Sequence, residues 1–229
     1  MTGGVGVPRP WDRPASQEGD ALVDIARLLS TVRRRSVARH LHRAVFTAHL
    51  KLSSPPNPLY FVGSIAGRRY TPVGGPAGLY LSFDQATTIT ELRLLNFVSG
   101  APVSNPHDPI TVFSARVAVG DLLDLTDQPT CDILQVTRAE LDEDWEARQA
   151  AHMGGTGPRP FGQLLTLAAH AMETFAGIIY QSRRSQFGTN VVLFPDRLYD
   201  DELVEVIDSE GTHASLVAGG HTRSAGRGA

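Results

Sequence analysis

Two adjacent arginines, Arg68 and Arg69, two tyrosines, Tyr70 and Tyr80, and a carboxylate, Glu91, fall within one stretch, GRRYTPVGGPAGLYLSFDQATTITE. The planar fork of arginine can grip phosphate oxygens in pairs, which the point charge of lysine cannot. A tyrosine offers a ring for packing and a hydroxyl for one hydrogen bond. A carboxylate can stabilise developing positive charge. Brought together, these groups could hold a planar, phosphate-bearing ligand. The elements that must position them can be read from the same stretch. Prolines and glycines from Thr71 to Gly78 make a turn, and Leu79 to Phe83 reads as an apolar strand with Tyr80 in its middle. Asp84 then caps a helix in which Glu91 lies about two turns along.

Around this unit the chain predicts one α+β domain spanning residues 21–210, with disordered tails over 1–20 and 211–229. ALVDIARLL, from Ala21 to Leu29, has the spacing of an amphipathic helix. The basic run VRRRSVARHLHR is expected to be a solvated helix end and loop, leading into a short strand, LHRAVF, that carries Arg43. SSPPNP must be loop. After Asp84 the helical spacing runs through Ile89, Leu92, Leu95 and Phe97, with Glu91 on a different flank. PITVFSARVAV alternates as a strand, and DLLDLTD reads as a second, short one. Residues 132–148 are expected to form a charged helix anchored by Trp145, and residues 161–174 return to helical spacing. Short buried strands at 177–180 and 190–194 flank QSRRSQFGT, and DELVEVIDSE makes a last strand or helix.

Composition narrows the function classes. An apolar fraction of 41% and a net charge of -3 describe a soluble globular chain without general attraction to nucleic acid or anionic membrane. Cys131 is the only cysteine, so neither an internal disulfide nor a cysteine-rich zinc site is available, and a reducing cytoplasm fits. The first residues lack an apolar signal core, and no later run approaches a membrane span. Lys51 is the only lysine, so the basic charge is almost all arginine. Nucleotide phosphate loops, dinucleotide glycine fingerprints, HExxH and GxSxG are all absent. His40, His42 and His49 do not have a metal-ligand pattern, and Cys131 beside Asp132 gains no thiolate stabilisation.

GRRYTP, GLYLS and Glu91, followed by DLLDLTD, GIIYQSRR and TNVVLFPDRL, resemble the RES-domain family, which is named for Arg, Glu and Ser residues and includes toxins of bacterial toxin–antitoxin pairs. The resemblance runs from about Arg43 to Leu198. It implies an ADP-ribosyltransferase-like fold and an enzyme that cleaves NAD at the nicotinamide–ribose bond by hydrolysis or phosphorolysis. Alternatives are ADP-ribosyl transfer to a protein, or an idle module that binds NAD or a partner. Carried over, the family's roles fall on Arg43, Arg69, Tyr80, Glu91 and Ser182, with Glu91, Arg69 and Tyr80 catalytic. Arg43, Arg69, Tyr70, Tyr80 and Ser182 would bind substrate. The implied partners are NAD, as substrate and not as cofactor, and a cognate antitoxin; no metal is implied. Tyr70 and Thr71 stand where the family usually has Trp-Asn, and Ala44 where some members have an aromatic.

The chemistry has its own logic. Nicotinamide leaves NAD neutral, so no strong general acid is needed, unlike ordinary glycoside hydrolysis. What remains is to stabilise an oxocarbenium and hold the ribose hydroxyls, which Glu91 can do, while Arg43 and Arg69 pair with the pyrophosphate.

Overall fold

A computed structural model describes residues 9–50, 56–61, 65–92, 95–98, 101–104, 109–207 and 216–220. SSPPNP lies outside these at its first three positions. In chain order the elements begin with helix α1 (Glu18–Leu29), strand β1 (Arg34–Phe46), the single turn α2 (Thr47–Leu50) and strand β2 (Leu79–Ser82). Helix α3 (Gln85–Glu91) and the hairpin β3 (Leu95–Val98) and β4 (Ala101–Ser104) follow, then the long strand β5 (Ile110–Asp124). Helices α4 (Gln128–Leu134), α5 (Arg138–Leu141), α6 (Trp145–Met153) and α7 (Phe161–Ala171) come next, before strands β6 (Gly177–Gln181), β7 (Thr189–Leu193), β8 (Leu203–Val206) and β9 (Leu216–Ala218).

The main sheet has the order β1-β2-β7-β6-β5-β8-β9, and β1 also pairs with β5. The strands from β1 round to β5 thus close on themselves, joined between β1 and β2 at His42 opposite Ser82. Among the described strands only β5 and β6 run parallel; the helical segment between them supplies the crossover such a pair requires. Alternation decides what each face does. Leu41, Val45, Leu79, Leu81, Ile179, Val191 and Leu193 bury themselves inside the closure. Ile178, Tyr180 and Val192 face the other way and pack with Ile25, Leu134, Leu165 and Phe175 from the helical layer. Each such buried aliphatic side chain contributes about 1.5–3 kcal/mol. The result is one α+β domain, as the sequence predicts.

Several local expectations are corrected. The basic run after α1 is strand, because β1 and β5 pair along almost their whole lengths and Val37 and Leu41 reach the core. Arg34 and Arg35 meet Asp121 and Asp124 across that ladder, which makes a charged run compatible with a strand. PITVFSARVAV and DLLDLTD form a single strand, β5. The helix bearing Glu91 stops at Glu91, and Leu95 and Phe97 lie in β3, paired with β4. Residues 132–148 break into three capped helices: Asp127 caps α4, Thr137 and Glu140 form a reciprocal capping box on α5, and Asp144 caps α6. The expected N-terminal tail is packed from Arg9 onward, with Trp11 buried edge-on against Phe161 at 5.3 Å. Within the expected C-terminal tail, β9 pairs with β8, and residues 211–215 and 221–229 lie outside the described residues.

Candidate active site

The site forms where β2, β6 and β7 pass beneath α3. Asp84 caps α3 as expected, accepting from the Thr87 backbone N–H at 2.8 Å and from the Thr87 hydroxyl at 2.7 Å. Thr88 donates its hydroxyl to the His42 carbonyl at 3.1 Å, which pins the helix to β1. A short, β-branched helix of low intrinsic propensity is thereby fixed at both its start and its underside. Glu91, its last residue, then points over the sheet.

One carboxylate oxygen of Glu91 accepts from the Ser182 hydroxyl at 2.6 Å and from the Asn190 amide at 2.7 Å. The other lies 3.8 Å from the Arg184 guanidinium, and about a third of the side chain is exposed. Asn190 is in turn fixed, its amide oxygen accepting from the Ser82 hydroxyl at 2.7 Å. Ser82 and Asn190 are opposite each other across β2 and β7, so the pleat places both polar groups on one face. Asn190 and Ser82 were not singled out from sequence. The signal available is a polar residue at one end of each apolar run, Ser82 after Leu79 to Leu81 and Asn190 before Val191 to Leu193.

Ser182 is 3% exposed, and its hydroxyl also accepts from the backbone N–H groups of Arg184 and Ser185, each at 3.0 Å. It closes the Arg183–Gly188 loop and orients Glu91, and it stands behind the residues that wall the two lobes. The Ser182 backbone N–H donates to the Gly188 carbonyl at 2.8 Å. A side chain at Gly188 would strike the Thr87 hydroxyl, so glycine there lets the loop lie against α3.

The cleft has two lobes that share Arg68, Tyr80, Glu91 and Tyr180 at their seam. The smaller, about 240 Å³, is walled by Arg43, Phe46, Tyr60, Leu92 and Asn190 among others. The larger, about 500 Å³, adds Arg69, Arg183, Arg184, Asp144, Trp145 and Glu146. Tyr80 reaches both, its hydroxyl 3.0 Å from that of Thr71, and burial holds its phenol protonated far above the ordinary range. Tyr180, also at the seam and also pushed up by burial, was quoted in the sequence only as part of GIIYQSRR.

Arg43 walls the smaller lobe and Arg69 the larger. Arg43 shares its strand parity with the core residues Leu41 and Val45, so its guanidinium is drawn inward and is 6% exposed. It donates to the Tyr60 carbonyl at 2.7 Å beneath the Tyr60 ring, 4.5 Å from centroid to guanidinium carbon, and Nη1 is buried without a hydrogen bond. Burial pushes this guanidinium below the ordinary arginine value. Arg69 donates to the Leu141 carbonyl and, at 3.3 Å, to the Gln181 carbonyl, with Asp142 at 3.5 Å. Its planar group lies over Tyr70 and Tyr180, at 5.3 and 5.5 Å from their centroids, and so ties α5 to the end of β6.

Tyr70, expected to bind substrate, is 1% exposed, packs on Tyr180 at 4.3 Å and lines neither lobe. Gly162 makes this possible: a Cβ there would lie 2.6 Å from the Arg69 carbonyl oxygen and 2.9 Å from the Tyr70 ring. Arg68 is exposed and lines both lobes. Cys131 is buried, donates to the Leu125 carbonyl at 3.4 Å and is pushed up by that burial. Among the described residues no cluster of histidine, cysteine or carboxylate side chains could hold a metal ion, and no helix is long and apolar enough to cross a membrane.

A closed α+β sheet with a helix-borne glutamate braced by serine and asparagine over a two-lobed cleft defines the class. The chain belongs to the RES-domain family, whose model matches residues 40–215 and so includes Arg43, Glu91, Ser182 and Asn190. A comparison with curated proteins found no match. Among solved structures, the chain is similar to a chain of the crystal structure of the M. tuberculosis MbcT–MbcA toxin–antitoxin complex. The two are 13% identical with a TM-score of 0.46, over 74% of this chain and 80% of that one.

Proposed function

We propose that this protein is an enzyme that cleaves NAD at the nicotinamide–ribose bond. The observation that carries the reading is the carboxylate of Glu91: one oxygen is fixed by Ser182 and Asn190, and the other is turned toward the seam of a cleft of dinucleotide proportions. A preorganised carboxylate is what an oxocarbenium-like transition state requires. The C1′–N bond breaks with its electron pair leaving on nicotinamide, which departs neutral. Glu91 stabilises the cationic ribose, and a water or phosphate oxygen adds to C1′, a proton of that acceptor passing to solvent. Tyr80 and Tyr180, held as neutral phenols by burial, wall the reacting centre without competing for its charge. Membership of the RES-domain family supports extending the reading to a toxin that depletes NAD in the cytoplasm and is held inactive by a cognate antitoxin.

Incubating the pure protein with NAD tests the reading. Free nicotinamide with ADP-ribose, or with ADP-ribose 1″-phosphate when phosphate is present, is the expected result. ADP-ribose attached to protein would make it a transferase, and unchanged NAD with the nucleotide still bound would make it a binding module.

A further inference from the structure

The two lobes differ in the residues that wall them. The smaller lobe is largely aromatic and aliphatic, with Phe46, Tyr60 and Leu92 in its walls. At the seam stand Glu91 and Arg68, and Arg184 lies 3.8 Å from Glu91 on the side of the larger lobe. Arg183 and Arg184 are both exposed and line only that larger lobe. The start of α6 contributes Asp144, Trp145 and Glu146, again to the larger lobe and not to the smaller. The larger lobe thus combines cations, one of them beside Glu91, with an indole flanked by carboxylates.

Resting on the NAD reading above, we infer that the larger lobe is the subsite for the adenosine diphosphate half of the substrate, with Trp145 as the platform on which adenine stacks. The diphosphate faces Arg68, Arg183 and Arg184, since a dianion is drawn to the guanidinium forks and away from Asp144 and Glu146. Adenosine, which is uncharged, takes the wall formed by Asp144, Trp145 and Glu146. Its exocyclic amine and ribose hydroxyls are donors, and the two carboxylates there are acceptors. Trp145 is half-buried, and α6 buries none of its residues, so the ring is held at the lobe and not in the core. The helix itself is pinned from its other sides: Arg148 pairs with Glu143 at 2.5 Å and donates to the Trp11 carbonyl, and Gln149 joins Gln163 at 2.6 Å. A rigid helix start therefore presents an indole at a fixed place. The nicotinamide ring, planar and without phosphate, is left with the smaller lobe and its aromatic walls, and the scissile bond falls at the seam beside Glu91.

The chain has two tryptophans, and the other, Trp11, is buried against Phe161. Fluorescence quenching by a stacked base therefore reports on Trp145. The test titrates the wild-type chain, Trp145→Ala and Trp145→Phe with ADP and with nicotinamide mononucleotide. Quenching and calorimetry are read together, with circular dichroism confirming folding. ADP is expected to quench wild-type fluorescence. Trp145→Ala should bind ADP roughly five- to a hundredfold more weakly, the worth of one base–aromatic stack, while nicotinamide mononucleotide binding stays unchanged. Trp145→Phe should recover most of the ADP affinity. Equal ADP affinity in wild type and Trp145→Ala overturns the subsite but leaves the NAD reading standing. Loss of nicotinamide mononucleotide binding instead of ADP binding overturns it by reversing the ligand. A wild-type chain that binds neither nucleotide removes the NAD reading and the subsite together.

Discussion

Replacing Glu91 with glutamine removes a charge while keeping a shape, and the surroundings of the carboxylate set what should follow. The oxygen that accepts from Ser182 and Asn190 becomes an amide oxygen able to accept both bonds, so the brace survives. The other position becomes an amino group facing the cleft, where about a third of the side chain is exposed and water can satisfy it. Folding stability should change by about 1 kcal/mol or less. Turnover should fall about a hundred- to a thousandfold, about 2.7–4 kcal/mol, because the stabiliser of the oxocarbenium is lost. The effect should appear in kcat with KM nearly unchanged. Asn190→Ala tests the brace by itself. It removes one charge-assisted bond and leaves the Ser82 hydroxyl without its partner, about 1.5–3 kcal/mol, or about ten- to a hundredfold in kcat if that bond is fully used. Asn190 acts on the reaction through Glu91, so the two substitutions should not add. In the Glu91→Gln background, Asn190→Ala should cost about threefold or less. The assay is the initial rate of nicotinamide release from NAD for all four proteins. Fully additive losses, or Glu91→Gln turnover within about threefold of wild type, refute the held-carboxylate mechanism.

Other expectations follow from where the structure puts its polar and aromatic groups. Tyr70→Ala should lower unfolding free energy by about 3–5 kcal/mol in urea titrations, the cost of emptying a buried aromatic site; a variant of normal stability with weaker nucleotide binding would restore Tyr70 as a ligand contact. Arg69→Lys should lower stability by about 1–3 kcal/mol, since an ammonium cannot reach the Leu141 and Gln181 carbonyls while stacking on Tyr70 and Tyr180. Normal stability with lost phosphate affinity would make phosphate binding the role of Arg69. Burial lowers the His42 pKa, partly opposed by Asp84 and reinforced by the nearby His40 and Arg39. The unfolded chain therefore binds the His42 proton more tightly. The stability linked to this residue should be fully present above about pH 6.5 and be lost as pH falls below it, which an NMR titration of the His42 ring checks against the unfolding curve.

Local chemistry explains why parts of this protein can be read from its sequence. Asp84 followed by threonines marks the start of α3, and the alternation of Leu79 to Ser82 marks β2, because caps and strand pleats depend on neighbours two to four residues away. Helix α7, β6 and β7 follow their apolar periods for the same reason. Arg43, Tyr80, Glu91 and Ser182 can be picked out by their resemblance to a family motif, and all four stand at or beside the cleft. Their roles depend on contacts that no spacing encodes. Whether Arg43 faces solvent or core is a matter of strand parity within a closed sheet, and the basic run became strand because β5 lies beside it. Tyr70 left the site because Gly162 lets α7 close over it, 92 positions away in sequence by number. Asn190 and Ser82 joined the site because two strands pair across the fold, placing an amide where Glu91 needs a donor. Sequence named the carboxylate. Only the tertiary structure could choose its partners, because hydrogen bonds across a sheet follow the register of strands and not their order in the chain.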